Sequence, residues 1–230
     1  MSSKGGAKKP GPRPKWKCED VIENQLRARG FHRIAGADEV GRGSLFGAVV
    51  AAAVILSPDK PIVGLNDSKQ LDPETREALA ETIRNRCVAW AIAAVDCTGI
   101  DRMNIYEASR IAMKLAIQRL DPLPEFVLVD AVPLALAIPQ QPLVQGDERC
   151  HAIAAASILA KVHRDAMMRE WDKFYPQYGL ASHKGYHSPD HIAAIRRHGP
   201  SPLHRMSFAP IRDNSVWSHL DLTSQQGLFQ

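Results

Sequence analysis

Residues 33–56 read RIAGADEVGRGSLFGAVVAAAVIL, and this stretch decides the fold. It opens as a short strand over 33–40 that ends in charge, with Asp38 and Glu39 behind Ile34, Ala35 and Ala37. Neighbouring residues on a regular strand face opposite ways, so an acidic pair here directs one carboxylate at the core unless the strand stops. Gly41-Arg42-Gly43 supplies the stop. Residues 47–56 then form an apolar, small-residue run of buried-strand length, closed by Ser57-Pro58.

Working outward, residues 18–30 form a short helix with Val21, Ile22 and Leu26 on one side. Asp72-Pro73 is a helix start, an Asp cap with Pro in the first turn, and the helix runs to about residue 86. Residues 88–95 alternate as a strand. Ile105, Ala108, Ala112 and Leu115 lie on one face of a single helix over 101–120. Phe126-Val127-Leu128-Val129 is apolar on both faces, the pattern of a strand inside a sheet, and it ends on Asp130. Residues 132–143, rich in Pro and small apolar side chains, give no clear pattern. A long helix spans 148–174, and Ser188-Pro189-Asp190 caps a shorter one through 197. The order implies an α/β protein with a mixed sheet flanked by helices and a small helical C-terminal extension. The expected organisation is a basic, disordered arm over 1–17, an α/β domain over 18–175, a helical extension over 176–215 and a flexible tail over 216–230.

Composition limits the class. The net charge of +4 permits a polyanionic partner without requiring one. Cys18, Cys87, Cys97 and Cys150 form no CxxC pair, which argues against a zinc ribbon or dithiol centre. The longest apolar run, 45–56, is too short for a bilayer, which takes about 20 residues. The expectation is a soluble, cytoplasmic monomer with no membrane partner.

Four acids stand where acids are costly. Asp38 and Glu39 close one strand, Asp130 closes another, and Asp147 follows Gly146 at the mouth of the alanine-rich helix. Like charges gathered at strand ends repel, and a divalent ion relieves this; an all-oxygen set suits magnesium or manganese. Two such ions can activate water and stabilise a leaving oxygen in phosphodiester hydrolysis. Singly, Asp147 also reads as a helix cap and Asp130 as a turn former.

Gly41-Arg42-Gly43 reads either as a hairpin turn or as a turn whose bare backbone approaches a ligand. Asn66-Asp67-Ser68-Lys69 is a solvated loop, or a set of phosphate contacts. His183-Lys184-Gly185-Tyr186 combines cations with a ring, as nucleic-acid contacts do, or lies on a basic face with a core Tyr. Asp165 after Arg164 reads as half of a charged pair or as a supporting acid.

Five blocks in order, AGADEVGRGSLFGAVVAAAV (35–54), LNDSKQLDPETRE (65–77), VLVD (127–130), GDERCHAIAAASILAKVHRD (146–165) and HKGYHSPDH (183–191), resemble the type 2 ribonucleases H, ribonuclease HII. The resemblance implies an RNase H-like fold and a metal cluster of Asp38, Glu39, Asp130 and Asp147 holding two Mg2+ or Mn2+ ions. It further implies that Gly41, Arg42 and Gly43 read a ribonucleotide's 2′-hydroxyl and that Tyr186 packs on the sugar at an RNA–DNA junction. Asn66, Ser68, Lys69 and Lys184 become phosphate contacts. The implied substrates are RNA–DNA hybrids and DNA containing single ribonucleotides, cut on the 5′ side to leave 3′-hydroxyl and 5′-phosphate. Two positions depart from the family pattern, Gln145 where Lys is usual and Ala131 where Gly is usual. The competing readings are a junction resolvase, which would cut all-DNA substrates, and a non-catalytic duplex binder, which would have lost its acids.

Overall fold

The computed structural model describes residues 18–213, so the expected arm and the tail from 216 lie outside the described residues. A five-stranded mixed sheet runs in the order β3-β2-β1-β4-β5. Its strands are β1 (Ile34–Val40), β2 (Val49–Ile55), β3 (Ala89–Val95), β4 (Phe126–Asp130) and β5 (Gln140–Leu143). β1 pairs antiparallel with β2 and parallel with β4. In β3 the alternation is as expected: Ala89, Ala91 and Ala93 are buried, whereas Trp90 is 41% exposed.

Helices cover both faces: α1 (Val21–Ala28), α2 (Pro73–Arg86), α3 (Cys97–Met103), α4 (Ile105–Gln118) and α5 (His151–Phe174), then the short α6 (Leu180–His183) and α7 (Pro189–His198). Ala108, Ala112, Met113 and Ala116 of α4 pack on Ala35, Ala37 and Ala51. On the other face Ala154–Ala156 and Ile158–Ala160 of α5 pack on Ala52 and Val54. The approach of α5 to β1 is close enough that a β-carbon at Gly36 would run into the backbone of Ala152 and Ile153.

Two expectations are corrected, and one segment without a clear pattern is resolved. The single helix over 101–120 is two helices, because Asn104 adopts φ 83 and its side chain accepts the Glu107 N–H at 3.0 Å, capping a new helix. The ambiguous segment ends in β5, an edge strand whose Pro142 is tolerated because only one side of it is paired. The long helix starts at His151 rather than 148, after a 3-10 turn over Gly146–Glu148. Its first turn is capped from a distance, by buried Glu23 accepting the Ala152 N–H at 2.9 Å.

The C-terminal segment docks on the β1–β2 connection. Leu45 N–H donates to Gly185 O at 2.8 Å, Gly47 N–H to Leu203 O at 2.8 Å, and Arg205 N–H to Leu45 O at 2.9 Å. Leu45 and Phe46 bury themselves with Met168, Tyr178, Leu180, Ile192 and Ile195 in a separate small core. The residues before and after α5 thus frame one rim of the sheet. Among the described residues no helix is long and apolar enough to cross a membrane.

Candidate active site

The site forms where β1 outruns β4. Their parallel register ends at Ala37↔Val129, one residue before Asp38 on one strand and Asp130 on the other. β1 continues to Val40 against β2 alone. Asp38 and Asp130 therefore stand side by side at the carboxyl ends of parallel strands, where α/β sheets open a crevice. Ala131 turns the chain away with φ 56. The return brings Gly146 back so that its N–H donates to Asp130 Oδ1 at 2.8 Å, which places Asp147 next in line. Asp147 caps no helix; α5 begins after Cys150.

A cavity of about 460 Å³ lies between these elements, lined by Asp38, Glu39, Asp130 and Asp147 together with Gly41, Arg42, Gly43, Ser68, Lys69 and Tyr186. The structure thus gathers most of the residues singled out from the sequence. Two it does not: Asn66 is bonded within its own loop, to Gln70 and to the Asp67 N–H, and Lys184 donates to Ala181 O. The cavity also takes in Ser157 and Lys161 of α5. Ser157 had no local signal in the sequence and Lys161 only that of one base among several, since an interior helix position shows its direction only once the helix is docked.

The acids line one cavity, and burial there raises each of them. Burial holds Asp38 well above the usual carboxylate range, aided by Glu39, Asp130 and Asp147, while a Ser157 hydrogen bond works the other way. Burial and Asp130 raise Glu39 against the opposing pull of Arg42. Burial raises Asp130, opposed by the Gly146 N–H. Asp147 is pushed up to about 6 by burial, then by Asp67 and Asp130. Asp67 is thus a fifth acid beside the cluster, itself buried. Burial works to lower Lys69, but Asp67, Asp147, Asp38 and Asp130 outweigh it and the net shift is upward.

The acids already draw cations from the protein. Arg42 lies 3.2 Å from Glu39 Oε1, and Lys69 lies 3.7 Å from Asp147 Oδ2. Glu39 Oε2 remains buried with no hydrogen-bond partner. Among the described residues no three His, Cys, Asp or Glu side chains close around a single point as a ready-made ion cage. The donor set and the orphaned oxygen nevertheless suit a hard divalent cation, for which all-oxygen ligation is the rule.

The Gly41-Arg42-Gly43 turn fits both of its sequence readings, since it connects β1 to β2 and also faces the cavity. Gly41 has φ 93, and a β-carbon there would run into the guanidinium of Arg164. Gly43 lines the cavity, and a β-carbon there would meet nothing within 4 Å. The pairing of Arg164 with Asp165 is corrected. Successive helical residues point about 100° apart. Buried Asp165 bonds Lys161 at 2.7 Å and faces Arg76 at 3.7 Å, while Arg164 donates to Ser44 Oγ, Phe46 O and Lys184 O. Arg205, also buried, donates to Arg42 O at 2.9 Å and fixes the same turn from its other side.

A mixed five-stranded sheet, helices on both faces and carboxylates at the ends of its two central parallel strands define an α/β protein of the RNase H-like class. The family model described as Ribonuclease HII matches residues 35–211. The chain belongs to the ribonuclease HII family, whose members are hydrolytic endoribonucleases. It is 64% identical over 215 residues to ribonuclease HII of Solibacter usitatus, covering 94% of each chain. Its fold is similar to that of ribonuclease H2 from Pyrococcus horikoshii OT3, with a TM-score of 0.66 and 26% identity over 79% of this chain and 96% of that one. A Bst ribonuclease HIII solved in complex with Mn2+ has the same fold, with a TM-score of 0.60 and 19% identity over 78% of this chain and 68% of that one.

Proposed function

We propose that this chain hydrolyses the RNA strand of RNA–DNA hybrids and cuts on the 5′ side of single ribonucleotides in duplex DNA, leaving 3′-hydroxyl and 5′-phosphate. Asp38, Glu39, Asp130 and Asp147 would hold two Mg2+ or Mn2+ ions. When bound, these ions supply an activated water and a counter-charge for the leaving oxygen. The observation that carries the reading is the cavity in which burial raises all four carboxylates, neighbouring acids add to it, and Glu39 Oε2 stays buried and unpartnered. A cluster costly in the protein alone is suited to an ion that repays the burial.

The chain's own residues do the rest. Gly43 leaves its backbone bare toward the cavity, so a 2′-hydroxyl can come within hydrogen-bonding reach of the Gly41-Arg42-Gly43 turn. Tyr186 lines the same cavity, where its ring would pack on the sugar next to the ribonucleotide. Lys69, though ion-paired with Asp67 and Asp147, has a side chain 79% exposed at the cavity edge, where it could meet a phosphate. Ser68, bonded to Ser157 at 2.9 Å, is held beside it. Asn66 and Lys184 would act, if on phosphate, outside the cavity. We further infer a monomer at work in the cytoplasm.

The test is a labelled duplex with one ribonucleotide, incubated with and without Mg2+ or Mn2+, beside an all-DNA control. Cutting only 5′ of the ribonucleotide and only with the ion is expected. Cutting of the all-DNA duplex would favour a resolvase instead.

A further inference from the structure

Joined to the backbone of Tyr186, and outside the cavity lining, lies a histidine network that hydrolysis does not use. His191 and His204 are both buried, and their Nε2 atoms are 3.1 Å apart. At one end, the Ser201 backbone N–H lies 2.9 Å from His204 Nδ1, with Ser201 Oγ at 2.9 Å from the same nitrogen. At the other end, His191 Nδ1 lies 3.0 Å from the carbonyl oxygen of Tyr186.

A backbone N–H can only donate and a carbonyl can only accept, so both ends of this chain have a fixed sense. His204 Nδ1 must be the bare acceptor, which puts its proton on Nε2. That proton is donated to His191 Nε2, so His191 carries its own proton on Nδ1 and gives it to Tyr186. One neutral tautomer of each ring satisfies every atom. Burial, the main cause in both, pushes His191 down to about 4 and His204 down to about 3, in keeping with neutral rings.

A third imidazole holds the same turn from its start. His183 stacks on His191 with centroids 4.4 Å apart, accepts the Gly185 N–H on Nδ1 at 3.2 Å, and donates from Nε2 to Tyr178 O at 2.7 Å. Ser44 bridges to Tyr186, so whatever sets this turn also sets its register against the Gly41-Arg42-Gly43 loop.

We propose that the Ser201–His204–His191 relay is a positioning device that fixes the backbone of Tyr186, and so determines how well the enzyme cuts a single ribonucleotide in DNA relative to a long hybrid. His191 and His204 are positioning residues that touch no substrate. This inference rests on the reading of Tyr186 given under the proposed function.

The test uses the full-length protein and compares kcat/KM on a one-ribonucleotide duplex with kcat/KM on a long hybrid. An Asn side-chain amide can stand where His191 Nδ1 stands and keep its donor, whereas Leu keeps only bulk. His191→Leu is expected to lower the ratio by about tenfold, within the roughly hundredfold that a misplacement of about 1 Å can cause. His191→Asn is expected to recover most of that loss. An equal fall on both substrates in His191→Leu, or no recovery in His191→Asn, would overturn the relay's role.

Nitrogen NMR of the unmutated protein provides a readout independent of folding in the variants. It should show His204 protonated on Nε2 and His191 on Nδ1, both neutral at neutral pH, and the opposite tautomers would overturn the relay. Tyr186→Ala separates the two layers of the reading. An unchanged ratio there removes the reading of Tyr186, whereas a ratio that moves in Tyr186→Ala but not in His191→Leu removes the relay alone.

Discussion

The guanidinium of Arg164 stands 5.2 Å over the ring of Tyr186, and the same group fills the space in front of Gly41. One buried cation thereby spaces the glycine turn from the aromatic side chain across the cavity mouth. Its hydrogen bonds to Ser44 Oγ and Lys184 O tie the two segments together.

Gly41→Ala is therefore expected to be destabilising twice over. The residue sits at φ 93, which costs a side-chain-bearing residue about 1–2 kcal/mol, and the new methyl must displace Arg164. A total loss of about 2–4 kcal/mol, read from the denaturant midpoint, is expected with a loss of cutting. A fully stable, active variant would show that the guanidinium does not occupy this place.

Asp38→Asn removes the most deeply buried of the four acids while keeping its shape. Ion-dependent cutting should fall by at least about a hundredfold, since counter-charge from such ions is worth several kcal/mol. Binding of the duplex should persist, because the residues proposed to meet phosphate are other ones. Normal turnover in a folded variant would remove the metal assignment.

Asp147 makes a pH-dependent contribution to stability. Its carboxyl titrates near 6 when folded against 3.8 ordinarily, so the folded state binds the proton more tightly. Stability from this group is present below about pH 4 and is lost as pH rises through about 6. The shift corresponds to about 3 kcal/mol, which solvent in the open cavity reduces to about 1–2 kcal/mol. Asp147→Asn should accordingly raise Tm in chelator at neutral pH and give no gain in acid, while abolishing activity. Added Mg2+ or Mn2+ should stabilise the unmutated protein and narrow the difference.

Ala131 adopts φ 56 at the position where the family usually has glycine. Ala131→Gly should stabilise by about 0.5–1 kcal/mol, the relief of left-handed strain less the added chain entropy. Thermal unfolding checks this, and a loss of stability would mean that the methyl makes a compensating contact.

Much of the fold was legible in residues 33–56 and their echoes, because strand length, apolar content and caps such as Asp72 and Ser188 are local properties. The break at Asn104 was not, since an apolar face continues across it and only the left-handed backbone of that residue divides the helix. β5 was hidden because its pairing is made by main chain, which Gln140 and Pro142 do not announce. Of the site, the four acids were visible as charges in costly places. Asp67, Ser157 and Arg164 were not, because what each meets lies far off in the sequence: Asp147 for Asp67, Ser68 for Ser157, and Ser44 and Tyr186 for Arg164.

The sequence by itself determined the acids, the glycine turn and the principal strands and helices, since each depends on residue type and short-range spacing. Only the tertiary structure decided that β1 outruns β4 to open the cavity, that Asn66 and Lys184 stand outside it, and that buried Arg164 and His191 hold Tyr186 in place. Such relations depend on register and on which buried donors face which acceptors, and these are fixed only when the whole chain has packed.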